Sequence, residues 1–261
     1  MSTRTQLRFP LLSHQNQTPT RQNTSLRRPH MANAEKITIN GPDGDFQAYL
    51  SKPEGSGSHP AIVVIQEIFG INEVMRDICD DLATKGYIAI APDLFWRIEP
   101  GIEITDKTDA EWARAFELFG AFDVDKGMVD IQATIDTARK LSSGKVGAVG
   151  YCLGGQLAYL TATRTNADAA VGFYGVNIQA RTDEAAQIKK PLMLHIAGKD
   201  EFVPADAQKQ IHAALDDNTL VTLHDYPDRD HAFARVGGAH YNKADANLAN
   251  TRTLDFFKDN L

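Results

Sequence analysis

The chain has 261 residues and a formal net charge of −7, which argues against nucleic-acid binding as its main task. Apolar residues make up 43% and charged residues 23%, enough for one ordinary globular core. Two cysteines, Cys79 and Cys152, are too few for a disulfide framework and suit a reducing, cytoplasmic setting.

Residues 1–30 differ from the rest. They carry five arginines (Arg4, Arg8, Arg21, Arg27 and Arg28) and no acid. They lack the compact apolar region of a secretory signal, although an organellar transit peptide has a similar composition. With no clear amphipathic helix, the reading is a disordered basic N-terminal extension over residues 1–32. A single domain over 33–261 follows, and Met31 stands just before it as a second candidate start.

Glu35–Asn40 alternates as a strand, Gly41-Pro42-Asp43-Gly44 is a turn, and Phe46–Ser51 returns as a second strand. Pro60–Ile65 is a continuous β-branched run, the pattern of a strand buried on both faces. It belongs to the longest apolar stretch, Ala61–Ile71. That stretch is broken by Gln66 and Glu67 and falls short of the roughly 20 residues of a membrane span. Ile71–Lys85 reads as a helix stopped by Gly86, with Cys79 in the core. Tyr87–Ala91 is a strand, and Asp93–Asp106 is polar and irregular. Ala110–Phe119 and Val124–Leu141 are helical, the second with Met128, Ile131, Ile135 and Ala138 on one face. A strand then ends at Gly150, and a helix runs to about Thr163. Beyond it lie strands at Ala169–Tyr174, Pro191–Ala197 and Thr219–Tyr226, and helices at Ala205–Leu215 and Ala244–Lys258. This alternation implies an α/β fold: a mostly parallel sheet with helices on both faces, and no second domain.

Gly150-Tyr151-Cys152-Leu153-Gly154 is a G-x-C-x-G turn between strand and helix, the context of a nucleophile elbow with a thiol in place of a hydroxyl. The flanking glycines let strand and helix pack around a strained residue, and the helix N-terminus favours a thiolate. Cysteine is also a common inert core residue, so the rest of the constellation matters. No G-x-G-x-x-G and no Lys-Ser/Thr follows, which argues against a phosphate loop. An elbow requires an acid and then a histidine, each just beyond a later strand. Asp200 follows the strand ending at Ala197, and His231 follows the strand ending at Tyr226. His195 lies inside a strand, and His212 and His224 lack the loop setting. Glu67 is an acid at the end of an apolar run, so it must either pair or carry a raised pKa.

From Ala34 to Leu261 the chain resembles the dienelactone hydrolase family of α/β-hydrolases. The marks are Val64-Ile65-Gln66-Glu67-Ile68-Phe69-Gly70, Ala91-Pro92-Asp93-Leu94-Phe95-Trp96-Arg97, Gly150-Tyr151-Cys152-Leu153-Gly154-Gly155, Gly198-Lys199-Asp200 and His231-Ala232-Phe233-Ala234-Arg235. The resemblance implies a single-domain α/β-hydrolase with a Cys152–Asp200–His231 triad and a carboxylate near the thiol at Glu67. It also implies an oxyanion hole from the backbone N–H groups of Leu153 and Ile68, and two substrate-binding arginines, Arg97 and Arg235. Arg97 follows a predicted strand and Arg235 lies four residues after His231, so both belong at the carboxyl edge of the sheet, and the expectation is that they converge over Cys152 as a clamp for a carboxylate.

A neutral thiol has a pKa near ~8.5, so either His231 or Glu67 has to take its proton. The expected activity is hydrolysis of small carboxylate-bearing esters or lactones through an acyl-thioester. No metal or organic cofactor is expected, since there is no H-E-x-x-H and no paired-cysteine ligand set. A monomer is expected, with a small-molecule substrate and neither nucleic acid nor membrane as partner. Two rivals keep the fold without the turnover: a ligand-binding module, and a thiol redox sensor. The sensor reading has no neighbouring resolving cysteine in sequence, since Cys79 belongs to another helix.

Overall fold

Apolar runs that hide both faces make up the middle of the molecule. In the computed structural model, which describes residues 33–261, β3 (Ala61–Ile65), β4 (Ile88–Pro92), β5 (Val146–Tyr151), β6 (Ala169–Phe173) and β7 (Leu192–Ala197) are buried at every position. The hairpin β1 (Asn33–Gly41) and β2 (Gly44–Lys52) lies at one edge, and β8 (Val221–Tyr226) at the other. The order is β1-β2-β4-β3-β5-β6-β7-β8. The pairings β1–β2 and β2–β4 are antiparallel, and the rest are parallel. The expected basic extension over residues 1–32 lies outside the described residues.

The helices are α1 (Glu73–Thr84), α2 (Asp109–Ala121), α3 (Val124–Leu141), α4 (Leu153–Arg164), α5 (Ala205–Leu215) and α6 (Lys243–Asn260). Their starts are chemically marked. Asn72 accepts from Met75 N–H at 3.3 Å, Thr108 from Glu111 N–H at 3.2 Å, and Asp123 from Lys126 N–H at 3.1 Å. Each satisfies a donor that the first turn leaves orphaned. The expected face of α3 is in the core: Met128, Ile131, Ile135 and Ala138 are all buried. The connection β3–α1–β4 runs one way along the sheet, while β4–α3–β5 and β5–α4–β6 run the other. Right-handed crossovers therefore put α1 on one face and α3 and α4 on the opposite one.

The reversal between β3 and β4 is a topological switch point, and crevices form at the carboxyl ends of strands beside such a point. The segment Ile178–Gln187, which the sequence left without structure, forms a 3₁₀ run between β6 and β7. No helix among the described residues is long and apolar enough to cross a membrane.

Candidate active site

Cys152 stands between β5 and α4 at φ +57°, ψ −114°, a backbone region costly for a residue with a Cβ. Backbone hydrogen bonds hold it there, one of them from Gln156 N–H to its carbonyl at 3.3 Å. Its N–H donates to Phe173 O at 3.1 Å, and its carbonyl accepts from Gly155 N–H at 2.9 Å and Val176 N–H at 3.3 Å. The glycines have a steric role. A Cβ on Gly150 would overlap the Gly154 carbonyl, and one on Gly154 would overlap the Ile65 carbonyl. Bare backbone at these two positions lets α4 begin directly against the ends of β3 and β5. The Leu153 N–H is then the first of the donors at the N-terminus of α4, and Ile68 follows just beyond β3.

His231 and Asp200 come from the ends of β8 and β7. Their separation is 2.7 Å, from His231 Nδ1 to Asp200 Oδ2, and both side chains are buried. Asp200 is itself fixed, since its Oδ1 accepts from Phe202 N–H at 2.9 Å. Gln208 Nε2 donates to Val203 O at 2.7 Å and ties α5 to that turn. With Nδ1 committed to the carboxylate, Nε2 is the nitrogen left for the thiol. Burial alone would lower the pKa of His231. Charge on Cys152 and on the Asp200 carboxylate outweighs it and pushes it up to about 10. Tyr174, at φ +38° after β6, and Phe202 pack edge-on against the imidazole at 5.1 and 4.9 Å between ring centres.

Glu67 pairs, as an acid in an apolar run must: its Oε2 lies 3.0 Å from Arg235 Nε, with both side chains under a tenth exposed. Its Oε1 is buried without a hydrogen-bond partner among the described residues. Arg235 reaches further, donating from Nη1 to Asp106 Oδ2 at 2.7 Å and lying over the Phe69 ring at 4.9 Å. Burial, and after it the Glu67 carboxylate, holds the pKa of the Tyr174 hydroxyl well up.

Arg97 departs from expectation. Its Nη2 and Nε donate to Asp130 Oδ1 and Oδ2 at 2.8 and 3.1 Å, its Nη2 also lies 2.9 Å from Asp43, and its guanidinium stacks on Trp96 at 4.5 Å. Arg235 shares none of these partners, so the two arginines are held by different carboxylates. The reason is Asp130. It is fully buried on α3 and draws in both the Trp96 indole N–H, at 2.9 Å, and Arg97. His195 is a satisfied core residue, bonded to Tyr226 Oη at 2.9 Å and Thr253 Oγ1 at 3.0 Å, and burial drives its pKa well down. Cys79 is fully buried in α1, where burial pushes its thiol pKa up.

Sequence reasoning missed Tyr174, Phe202 and Asp106. Tyr174 directly follows β6 and Phe202 lies two residues after Asp200, which is a usable signal. Asp106 lies in the irregular stretch before α2 and had none. Among the described residues, no group of three His, Cys, Asp or Glu side chains is arranged to hold a metal ion.

The profile of the Dienelactone hydrolase family matches residues 46–261. A provisionally named carboxymethylenebutenolidase of Azospirillum brasilense is 50% identical over 222 residues, covering 85% of this chain and 96% of that protein. The carboxymethylenebutenolidase of Pseudomonas putida is 40% identical over 225 residues, covering 85% and 95%. Among solved structures, a provisionally named dienelactone hydrolase of Klebsiella pneumoniae superposes with a TM-score of 0.77 at 28% identity, covering 87% of this chain and 98% of that one.

Proposed function

The chain belongs to the dienelactone hydrolase family, and from that premise we propose that it hydrolyses small lactones or esters bearing a free carboxylate, with Cys152 as the nucleophile. The observation that carries this reading is the elbow cysteine facing a histidine whose other nitrogen is 2.7 Å from a buried aspartate.

In this reaction the Cys152 thiolate attacks the acyl carbon and the carbonyl π pair moves to oxygen. The N–H groups of Leu153 and Ile68 receive that oxyanion. Each such donor is worth on the order of 10²–10³ in rate. Collapse of the tetrahedral adduct breaks the bond to the leaving oxygen, and His231 Nε2–H protonates it. In a lactone that oxygen stays tethered to the acyl group. Neutral His231 then takes a proton from water, whose oxygen attacks the thioester, and the thiolate leaves. Asp200 holds the tautomer and balances the imidazolium through both halves. His231 is the base for the thiol that the geometry favours, because Glu67 is engaged by Arg235.

Arg235 anchors the substrate carboxylate. Its Nη1 donates to Asp106, while its Nε, 3.0 Å from Glu67 Oε2, is buried without a hydrogen-bond partner among the described residues, and a guanidinium suits a carboxylate because it presents a fixed fork and stays charged. Use of Arg97 for the same task would require it to leave both Asp130 and Asp43, so the anchor role is assigned to Arg235 alone.

The test compares two esters that differ in charge and by one methyl group: mono-4-nitrophenyl succinate and its methyl ester. The parent protein is expected to release nitrophenol from both, faster from the anion, and Cys152→Ala from neither above background. Turnover retained in Cys152→Ala removes the mechanism. A parent enzyme indifferent to charge removes the carboxylate preference and leaves the nucleophile standing.

A further inference from the structure

We propose that Asp106 is a positioning residue that sets how strongly the site takes an anionic acyl group, by holding Arg235 and by competing with the substrate for it. The inference rests on the anchor role given to Arg235 above.

Asp106 is delivered by backbone pairing far from the triad. Ile71 N–H donates to Ile102 O at 3.1 Å and Ile104 N–H to Phe69 O at 3.0 Å, so the segment before α2 lies against the continuation of β3. Gly70, at φ +75°, makes this close approach possible, since a Cβ there would overlap the Ile102 carbonyl. The Trp112 indole N–H donates to Asp106 O at 3.1 Å and fixes the backbone. Both carboxylate oxygens are then committed: Oδ2 to Arg235 Nη1 at 2.7 Å, and Oδ1 to Lys107 Nζ at 3.0 Å. Lys107 also donates to Gly237 O at 2.6 Å and ties this segment to the loop after His231.

Two carboxylates therefore already share one buried guanidinium. Glu67 lies beside Nε as a charge partner and Asp106 accepts from Nη1, and Nη2 is assigned to the substrate. A substrate carboxylate at Nη2 arrives within a few ångströms of Asp106, where like charges repel strongly because water is partly excluded. Asp106 also keeps the long Arg235 side chain in one rotamer, so that Nη2 stays presented. The two effects have opposite signs for an anionic substrate and neither touches a neutral one. Lys107 offsets part of the Asp106 charge, but it is 59% exposed and its effect is screened.

The two effects separate by substitution, read on mono-4-nitrophenyl succinate and its methyl ester. Asp106→Asn keeps an acceptor oxygen for Nη1 and removes the charge. KM for the anion is expected to fall about tenfold with kcat held. Asp106→Ala removes charge and hold together, and kcat/KM for the anion is expected to fall below the parent's. Lys107→Ala leaves the Asp106 charge uncompensated and is expected to raise KM for the anion about threefold. The methyl ester keeps its KM throughout. An unchanged or raised KM for the anion in Asp106→Asn overturns the proposal, as do equal changes on both esters. Lys107→Ala carries the test if neither Asp106 variant folds, and an unchanged KM there also overturns it. A parent enzyme with no preference for the anion is a different failure, that of the anchor reading, and is distinguished from an Asp106→Asn enzyme that keeps the parent's KM.

Discussion

Arg97 and Asp130 are joined by two hydrogen bonds, 2.8 and 3.1 Å long, with the aspartate fully buried on α3 and the arginine stacked on Trp96. This ties the segment after β4 to the helix before β5 and commits one of two candidate arginines to the fold. Arg97→Ala leaves Asp130 buried with the Trp96 indole N–H as its remaining side-chain donor. An uncompensated buried charge costs about 3 kcal/mol, and that loss is expected in urea unfolding. The ratio of kcat/KM between the anionic ester and its methyl ester is expected to stay within about threefold of the parent's, well short of the change that loss of a charge-assisted contact produces. A collapse of that ratio in a folded Arg97→Ala protein returns Arg97 to the substrate.

The two cysteines differ in environment, so they are expected to differ in reactivity. Cys152 sits at a helix N-terminus beside a histidine raised to about 10, whereas Cys79 is fully buried and its thiol pKa is pushed up by burial and by Asp80. Iodoacetamide on the native protein is expected to modify the Cys152 peptide and abolish esterase activity, leaving Cys79 unlabelled until the protein unfolds. Cys152→Ser is expected to be a poor enzyme, because a hydroxyl needs a stronger base than a thiol does. Peptide mapping that finds Cys79 labelled first contradicts the assignment.

The His231 titration has a definite sign. Its folded pKa is raised to about 10 from an ordinary value near ~6.5. The stabilisation from its charged form is therefore full below ~6.5 and is lost as the pH rises through about 10. Activity is expected to fall over the upper part of the same window, as the general acid loses its proton. Cys152→Ala removes the largest raising influence and Asp200→Asn the next. In nuclear magnetic resonance, the His231 ring is expected to titrate near 10 in the parent and at lower pH in each variant. A ring that titrates alike in all three shows that the histidine is not coupled to the thiol.

Much of this was legible in the sequence, for reasons that differ by element. The buried strands announced themselves as short β-branched runs, and the elbow as glycines around one residue. Asp200 and His231 could be singled out because a parallel sheet delivers its loops to one edge in chain order. The destinations of long polar side chains were not legible. Asp130 lies in the middle of an amphipathic helix, and nothing in its spacing says that it faces Arg97 and Trp96. Asp106 depends on a bridge between Gly70 and Glu103, a long-range pairing of irregular segments that no local pattern encodes. The placement of β2 beside β4 rather than β3 is likewise tertiary.

The central claim is that the acyl group passes through the sulfur of Cys152. It is tested most directly by mixing the parent protein with excess mono-4-nitrophenyl succinate, quenching in acid during turnover, and weighing the peptide that contains Cys152. The expected result is a fraction of that peptide heavier by one succinyl group, with the extra mass removed by hydroxylamine and absent in Cys152→Ala. Nitrophenol release with an unmodified Cys152 peptide, or with the succinyl group on another residue, contradicts the mechanism.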